Sequence, residues 1–323
     1  MEKKDLRIIY MGTPDFAVES LRCLVEGGYN VVGVVTMPDK PVGRHQNELT
    51  ASPVKQYALK NGLKVLQPEK LKDEAFLEEL RFLKADLQIV VAFRMLPEVV
   101  WDMPRFGTFN LHASLLPQYR GAAPINWAVI NGETETGITT FFLKHEIDVG
   151  DVIQQVHIPI ADTDNVGIVH DKLMTLGGKL VVETVDHILA GTIKPVPQDQ
   201  FRIDGELKPA PKIFKETCRI DWGKGVKTVY DFIRGLSPYP TAWTEFTDET
   251  GKIYVMKIYG AQKHFCSHIN EIGEIIIDDK NSFQIAVSDG YIEVTDLQLS
   301  GKKRMKTEDF LRGFRLSECC FVK

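Results

Sequence analysis

The stretch from residue 108 to residue 117, Thr-Phe-Asn-Leu-His-Ala-Ser-Leu-Leu-Pro, combines the pattern of a short strand with two side chains that can do chemistry. Side chains alternate between the two faces of a strand, so Asn110 and His112 project from the same face, about 7 Å apart along the backbone. An amide donor beside a titratable imidazole can stabilise an oxyanion and move a proton. The alternative is that both are surface or capping residues.

The polar stretch from His145 to Asp151 offers a carboxylate to this pair. It follows a predicted strand, and neighbouring strand ends in an α/β sheet commonly converge on one crevice. An aspartate beside His112 favours the protonated imidazole and can accept a proton from an attacking amine. The alternative is that Asp148 and Asp151 are turn residues selected for their Asx geometry.

The elements that position these groups begin with a βαβ unit. An apolar strand over 6–11 is followed by a helix start at Thr13-Pro14 and by a second buried strand over 31–36. The turn from Gly12 to Phe16 lacks the G-x-G-x-x-G pattern, which disfavours a dinucleotide-binding dehydrogenase. The order of elements predicts a parallel sheet.

The next segment, 37–51, has no apolar period and is predicted as an unusually long loop, of a length typical of lids and binding loops.

Strands over 137–142 and 152–160 are too closely linked for a crossover helix and are expected to pair antiparallel. The remaining predicted elements are helices from Ser52-Pro53 to Asn61, over 72–83, 98–101 and 166–190, and strands over 64–66, 86–92 and 108–112. Residues 1–191 therefore predict an α/β domain, with a Rossmann-like, mostly parallel sheet and helices on both faces.

The C-terminal part has a different pattern. Residues 192–211 contain four prolines and are predicted as a linker. Beyond it, apolar residues from Val226 to Ile233 at helical spacing predict a helix. Five short strands follow, which predicts a small antiparallel β-barrel over 212–323. The strands are expected over 242–246, 253–259, 273–277, 283–287 and 291–299.

Composition limits the function classes. The 323 residues favour two domains, and a hydrophobic fraction of 44% is typical of a globular protein. A formal net charge of −5 argues against nucleic-acid binding over the whole surface. The five cysteines show no disulfide or zinc spacing, and the N-terminus has too few apolar residues for a signal peptide. We expect a cytoplasmic monomer, with no membrane span, metal site or tightly bound cofactor.

The segment Asn110–Pro124 resembles the N-x-H-x-S-L-L-P-x-x-R-G-x-x-P signature of the folate-dependent formyltransferases, and Asp148–Asp151 resembles their D-x-G-D motif. The resemblance implies that Asn110, His112 and Asp148 are catalytic and that 10-formyltetrahydrofolate is the formyl donor. It also implies a folate site whose wall includes Ser114, Leu115, Leu116, Pro117, Ala92 and Phe93.

Within that family, the chain is most similar to the members that formylate the α-amine of methionine on initiator tRNA. The likeness extends to a C-terminal, oligonucleotide-binding-like domain, as in Ile233–Pro240. The segment Asp39–Arg44 resembles an inserted loop that reaches the tRNA acceptor end, which implies tRNA contacts by Arg44 and Lys40. Phe16 corresponds to a residue that lines the methionine pocket, although a core aromatic is an equal alternative.

Three departures from the family pattern are visible. The loop continues as His45-Gln46-Asn47-Glu48 where the family is more basic, which weakens its expected grip on phosphate. Arg94 replaces a usual glycine near the expected pterin pocket, and His145-Glu146 replaces residues that are typically uncharged. None of these changes removes a catalytic group.

Four other functions are compatible with parts of this sequence but fit it less well. A 10-formyltetrahydrofolate hydrolase and a sugar-nucleotide N-formyltransferase share the catalytic trio, but the inserted loop with Arg44 argues against both. Glycinamide ribonucleotide transformylase lacks the C-terminal domain. A non-catalytic RNA-binding protein is disfavoured because Asn110, His112 and Asp148 are all present.

Overall fold

The structure is a computed structural model that describes residues 1–42, 48–203, 205–247, 251–278, 282–314 and 321–322. The chain forms two compact units. The first contains residues 1–121, 137–158 and 170–209, and the second contains residues 122–136, 159–169 and 210–323. The segment predicted as a linker thus belongs to the first unit as far as Pro209.

The first 190 residues alternate strands and helices, as predicted. In chain order they are β1 (Arg7–Gly12), α1 (Phe16–Glu26), β2 (Asn30–Val35), β3 (Lys40–Val42), β4 (Glu48–Thr50), α2 (Pro53–Lys60), β5 (Val65–Leu66), α3 (Glu74–Phe82), β6 (Leu87–Val91), α4 (Glu98–Trp101), β7 (Thr108–His112), α5 (Pro124–Ile130), β8 (Glu135–Phe142), β9 (Val152–Pro159) and α6 (Val166–Ala190).

Seven of these strands form one sheet in the order β5-β2-β1-β6-β7-β8-β9. Strands β5, β2, β1, β6 and β7 are parallel, and β8 runs antiparallel to β7. On one face, Ile9 and Met11 of β1 pack in an apolar cluster with residues of α3 and α4. On the other face, the Tyr10 hydroxyl donates to the carbonyl of Ala17 in α1. Helices on both faces and the Rossmann-like sheet are therefore confirmed.

The antiparallel pairing predicted for the last two strands is also confirmed. The backbone N–H of Phe142 donates to the carbonyl of Asp151, and Gly137 lies against the carbonyl of Val156. Glycine is required at residue 137, because a Cβ there would lie 2.2 Å from that oxygen. The nine residues between β8 and β9 thus form a tight connection that carries Asp148.

Two predictions about the N-terminal region need correction. Helix α1 starts at Phe16 rather than at Pro14, because Asp15 caps it by accepting from the Phe16 N–H. The segment 37–51 is not structureless, since β3 and β4 pair antiparallel. Strands of three residues, one with Pro41 at its centre, carry too little periodicity to be recognised.

The second unit contains the predicted helix and an antiparallel sheet. In chain order its remaining elements are α7 (Val226–Leu236), β10 (Ala242–Thr247), β11 (Ile253–Phe265), β12 (Ile275–Asp278), β13 (Ser282–Val287), β14 (Gly290–Leu299), β15 (Met305–Lys306), α8 (Thr307–Gly313) and β16 (Phe321–Val322). The five predicted strands correspond to β10–β14, and β11 is longer than predicted. Strands β15 and β16 are too short to show a period.

The antiparallel sheet is nearly closed. Its order is β12-β13-β14-β11-β10-β16, and an isolated bridge from Glu274 to Phe321 joins its two edges. The interior is an apolar cluster that includes Phe246, Phe283 and Val229. A small barrel-like domain is therefore confirmed. Within the described ranges, no helix is both long and apolar enough to cross a membrane.

Candidate active site

Strand β7 positions the first two candidate residues. It spans the five predicted residues and lies between β6 and β8, with Asn110 opposite Val90 and Phe141. The side-chain oxygen of Asn110 is buried and has no hydrogen-bond partner in the described part of the chain. Buried polar atoms are nearly always paired, so an unpaired one needs an explanation, and contact with a bound substrate is one. The side-chain oxygen of Asn110 is therefore free to interact with a ligand.

His112 is buried two residues further along the same face. Its Nε2 lies 2.9 Å from the carbonyl oxygen of Tyr119, and its ring packs edge-on against Phe141. A carbonyl only accepts hydrogen bonds, so Nε2 carries the proton in the neutral ring. Nδ1 is then the nitrogen that can take up or donate a proton at the site.

Asp148 lies in the connection between β8 and β9, in a conformation that an L residue rarely adopts. Its φ is 54°, and one carboxylate oxygen accepts from the Gly121 N–H at 3.0 Å. Two residues later, a Cβ at Gly150 would lie 1.5 Å from the Phe142 carbonyl, so only glycine fits. Left-handed backbone at a non-glycine residue costs on the order of 1–3 kcal/mol and requires support from its surroundings.

Support comes from two residues that the sequence pattern did not single out for this role. The Gln198 side chain donates to the carbonyls of Asp148 and Gly150, each at 2.8 Å. Its oxygen accepts from the Arg120 guanidinium at 2.6 and 3.0 Å. The proline-rich composition around Gln198 masked this contact, because it predicted a linker.

Together these groups have the chemistry that acid–base catalysis needs. Asp148 and His112 do not form an ion pair within 4.0 Å, as judged from the residues with described positions. Each is instead held separately by backbone groups of residues 119–121. An amide donor, an imidazole and a carboxylate are thus presented without being neutralised by each other, as proton transfer between substrates requires.

The formyl transferase family model matches residues 6–185, and the model of the formyl transferase C-terminal domain matches residues 212–315. The chain belongs to the formyl transferase family. This confirms the family that the Asn110–Pro124 and Asp148–Asp151 motifs indicate.

Individual proteins similar to this chain are also named formyltransferases. The chain is 74% identical over 319 residues to a methionyl-tRNA formyltransferase of Phocaeicola vulgatus, with 98% of both chains covered. It is 69% identical over 323 residues to one from Bacteroides fragilis, covering 100% of this chain and 99% of that relative. A solved N-formyltransferase from Helicobacter canadensis, in complex with folinic acid and dTDP-3-aminofucose, is similar in fold. Its TM-score is 0.64 at 20% identity, with 90% of this chain and 98% of that chain covered.

The predicted folate residues of this formyltransferase divide into exposed and buried groups. Ala92 is exposed and Phe93 half-buried, just beyond the carboxyl end of β6. Strands β1 and β6 are the point at which the strand order reverses, where open α/β sheets bind ligands. Ser114 is fully buried, and its hydroxyl donates to the Gln118 carbonyl, so it supports the turn.

The backbone of the Leu115–Pro117 segment is held by a hydrogen bond from the Gln155 side chain. Leu116 and Pro117 are buried, and Leu115 is half-buried. The Gln155 side chain donates to the Leu116 carbonyl at 3.0 Å and to the Thr139 hydroxyl at 2.8 Å. The backbone of this turn is therefore held in place by Gln155.

Arg94 stands where the family usually has glycine, beside the expected pterin pocket. Its side chain links two loops by hydrogen bonds. Its guanidinium donates to the carbonyls of Pro68 and Glu69. Burial also lowers the pKa of its guanidinium. The long cation therefore connects the segment after β6 to the segment after β5.

The structure describes only some of the residues that were predicted to contact the tRNA or its methionine. Phe16, the first residue of α1, is 7% exposed, and its ring centroid lies 5.2 Å from that of His170 in α6. Lys40 begins β3, opposite Thr50, and Arg44 lies outside the described residues. At the base of this segment Asp39 pairs with Lys55 at 2.5 Å. Hydrogen bonds from Lys55 and Gln67 hold the pKa of Asp39 below its usual value.

No group of three or more histidine, cysteine, aspartate or glutamate side chains is placed to bind a metal ion, so far as positions are described.

Proposed function

We propose that this formyltransferase transfers the formyl group of 10-formyltetrahydrofolate to the α-amine of methionine on initiator tRNA, which gives N-formylmethionyl-tRNA. The observation that carries the proposal is the buried, unpartnered side-chain oxygen of Asn110, whose amide lies on the same strand face as His112, together with the fixed Asp148 turn. The choice of acceptor is supported by relatives at 69% and 74% identity that are named methionyl-tRNA formyltransferase.

The chemistry follows from the free groups. The amine attacks the formyl carbon, and the side-chain NH₂ of Asn110 and the Nδ1–H of protonated His112 stabilise the tetrahedral oxyanion. Asp148 accepts the proton that the amine loses. The bond from the formyl carbon to N10 of the folate then breaks, and N10 takes up a proton, so charge and atoms balance.

The substrates are assigned to the remaining predicted residues. The folate lies against Ser114–Pro117, Ala92 and Phe93, and the methionine side chain lies beside Phe16. Arg44 and Lys40 contact the tRNA acceptor end, and residues 212–323 contact the tRNA body. Support comes from the match of both formyl transferase models to the chain. We further propose a cytoplasmic monomer, in keeping with the free thiols of Cys23, Cys218 and Cys266.

The test uses purified protein with formyl-labelled 10-formyltetrahydrofolate and methionyl initiator tRNA, and control reactions without tRNA and with an amino-sugar nucleotide. We expect label on the methionyl-tRNA only. Label released as free formate at the same rate without tRNA would replace the proposal with a hydrolase. Label on the amino sugar would replace it with a sugar N-formyltransferase.

A further inference from the structure

Gln198 is 4% exposed, and its side-chain amide uses its full hydrogen-bonding capacity. Both N–H groups donate, one to the Asp148 carbonyl and one to the Gly150 carbonyl. Both lone pairs of the oxygen accept from the Arg120 guanidinium. A buried amide with four short contacts of this kind is fixed in one orientation.

The direction of the amide follows from its partners. If nitrogen and oxygen were exchanged, the oxygen would face two carbonyl oxygens and the NH₂ would face a cation that has no acceptor. Glutamate has the same shape but, when ionised, cannot donate to the two carbonyls. Glutamate at residue 198 would therefore keep the contact with Arg120 and lose the contact with the Asp148 turn.

The two partners of Gln198 belong to the two segments that set up the site. Arg120 stands between Tyr119, whose carbonyl accepts from His112, and Gly121, whose N–H donates to the Asp148 carboxylate. Asp148 itself has the strained φ of 54°. Gln198 is thus the side chain that connects the His112 support to the Asp148 turn.

The segment around Gln198 is attached to the same region along its length. Val196 forms a two-way backbone bridge with Val152, at 2.8 Å in both directions. Further on, the Lys208 carbonyl accepts from the Tyr119 N–H, and the Lys208 N–H donates to the Gln118 side chain. We name residues 196–208 the strap; position 204 within it lies outside the described residues.

We propose that Gln198 is a positioning residue for formyl transfer, and that the strap fixes Asp148 relative to His112 rather than serving as a linker. This inference rests on the proposed function, since it concerns the same site. Gln198 touches no substrate; it acts by holding the Asp148 backbone.

The test compares Gln198→Glu with Gln200→Glu, which introduces the same charge two residues away on an exposed side chain of the same turn. We expect Gln198→Glu to lower kcat about tenfold to a hundredfold, because displacing a catalytic group by about 1 Å costs on that order. KM for donor and acceptor should stay within about threefold, since no substrate contact is lost. Gln200→Glu should match the unmodified protein.

A second measurement separates positioning from general stability. In the Asp148→Asn background, Gln198→Glu should cause little further loss of kcat, because the group that Gln198 positions is already disabled. A residue needed only for folding would lower the rate by the same factor in both backgrounds. If Gln198→Glu lowers kcat by the same factor in the wild-type and Asp148→Asn backgrounds, the inference is overturned. If Gln198→Glu does not fold, Gln198→Met removes the same hydrogen bonds without a charge.

Amide hydrogen exchange gives a readout independent of activity. Exchange of the peptide over residues 144–152 should be at least about tenfold faster in Gln198→Glu than in Gln200→Glu, while peptides of the second unit stay unchanged. The inference would be overturned, and the proposed function left intact, if the wild-type protein formylates methionyl-tRNA and Gln198→Glu has the same kcat and the same exchange rates as the wild type. Absence of wild-type transfer would refute the function, and the exchange result would still decide the role of Gln198.

Discussion

Two polar sites, one in each unit, differ in how fully their buried atoms are hydrogen-bonded. In the first unit, the side-chain oxygen of Asn110 is buried without a partner in the described residues. In the second unit, Asp231 and Arg234 of α7 are 3% and 6% exposed, and their charged groups are paired. Arg234 donates to Asp231 at 2.7 Å and to the Asp164 carbonyl at 2.8 Å, and Lys227 pairs with the other oxygen of Asp231.

The difference distinguishes a polar group kept for chemistry from one kept for structure. An unpaired buried amide costs stability, so its presence in the fold requires a benefit elsewhere. A satisfied ion pair offers no free donor to a substrate, but it becomes costly when one partner is removed. Substitution of Asn110 should therefore lower turnover more than stability, and substitution of Arg234 should lower stability more than turnover.

The largest effect on stability is expected from Arg234→Met. It leaves the Asp231 carboxylate buried with only the half-exposed Lys227, and breaking a buried pair in this way typically costs about 3–5 kcal/mol. The free energy of unfolding in urea should fall by that amount, while kcat per folded molecule stays unchanged. The matched control is Lys224→Met, which removes one partner of an exposed pair and should change stability by less than about 0.5 kcal/mol. Equal effects of the two variants would contradict the comparison.

A smaller effect, on both turnover and stability, is expected from Gly150→Ala. The added Cβ would overlap the Phe142 carbonyl, so the turn that carries Asp148 must move. We expect kcat to fall about tenfold or more. In Gly313→Ala the new methyl group has no neighbour within 4 Å, so stability should change by less than about 1 kcal/mol and kcat should not change. Steady-state kinetics and thermal unfolding of both variants test this, and normal turnover in Gly150→Ala would show that the turn is not needed.

The smallest effect is expected from Lys55→Met, at the base of the segment that includes Lys40 and Arg44. The pKa of Asp39 should rise towards the ordinary value of an aspartate when its lysine partner is removed. Because this pKa is lowered in the folded chain, the pair stabilises the fold above about pH 4. That contribution is lost as the pH falls through the lowered value.

An NMR titration of Asp39 tests the change in pKa. KM for methionyl-tRNA should rise by no more than about threefold, with kcat unchanged, because a partly exposed pair contributes little. Lys64→Met, at an exposed pair with Glu79, is the control. If the pKa of Asp39 is the same in Lys55→Met as in the wild type, then Lys55 is not the cause of the lowered pKa.

Much of this arrangement could be predicted from the sequence because its signals are local. Strand β7 was predicted with its observed bounds, since the alternation of side chains fixes which of them share a face. The Asp148 turn could be placed because β8 and β9 are joined by few residues. The barrel-like unit was recognisable from five regularly spaced strands.

The parts that were missed depend on contacts between distant residues. No pattern in residues 192–211 links Gln198 to Asp148, 50 residues earlier, and prolines made the strap resemble a linker. The hairpin of β3 and β4 is too short to show a period. The burial of Ser114, which directs its hydroxyl to the Gln118 carbonyl, depends on how the turn folds back on itself.

The central claim is that the side-chain amide of Asn110, whose oxygen has no partner among the described residues, serves formyl transfer. The most direct test is the single-turnover rate of formyl transfer to methionyl-tRNA by Asn110→Ala, with the free energy of unfolding measured on the same preparation. We predict a rate at least about a hundredfold lower, because loss of one oxyanion donor costs on that order, and a stability equal to or above wild type. A rate within threefold of wild type, or a marked loss of stability, would contradict the account.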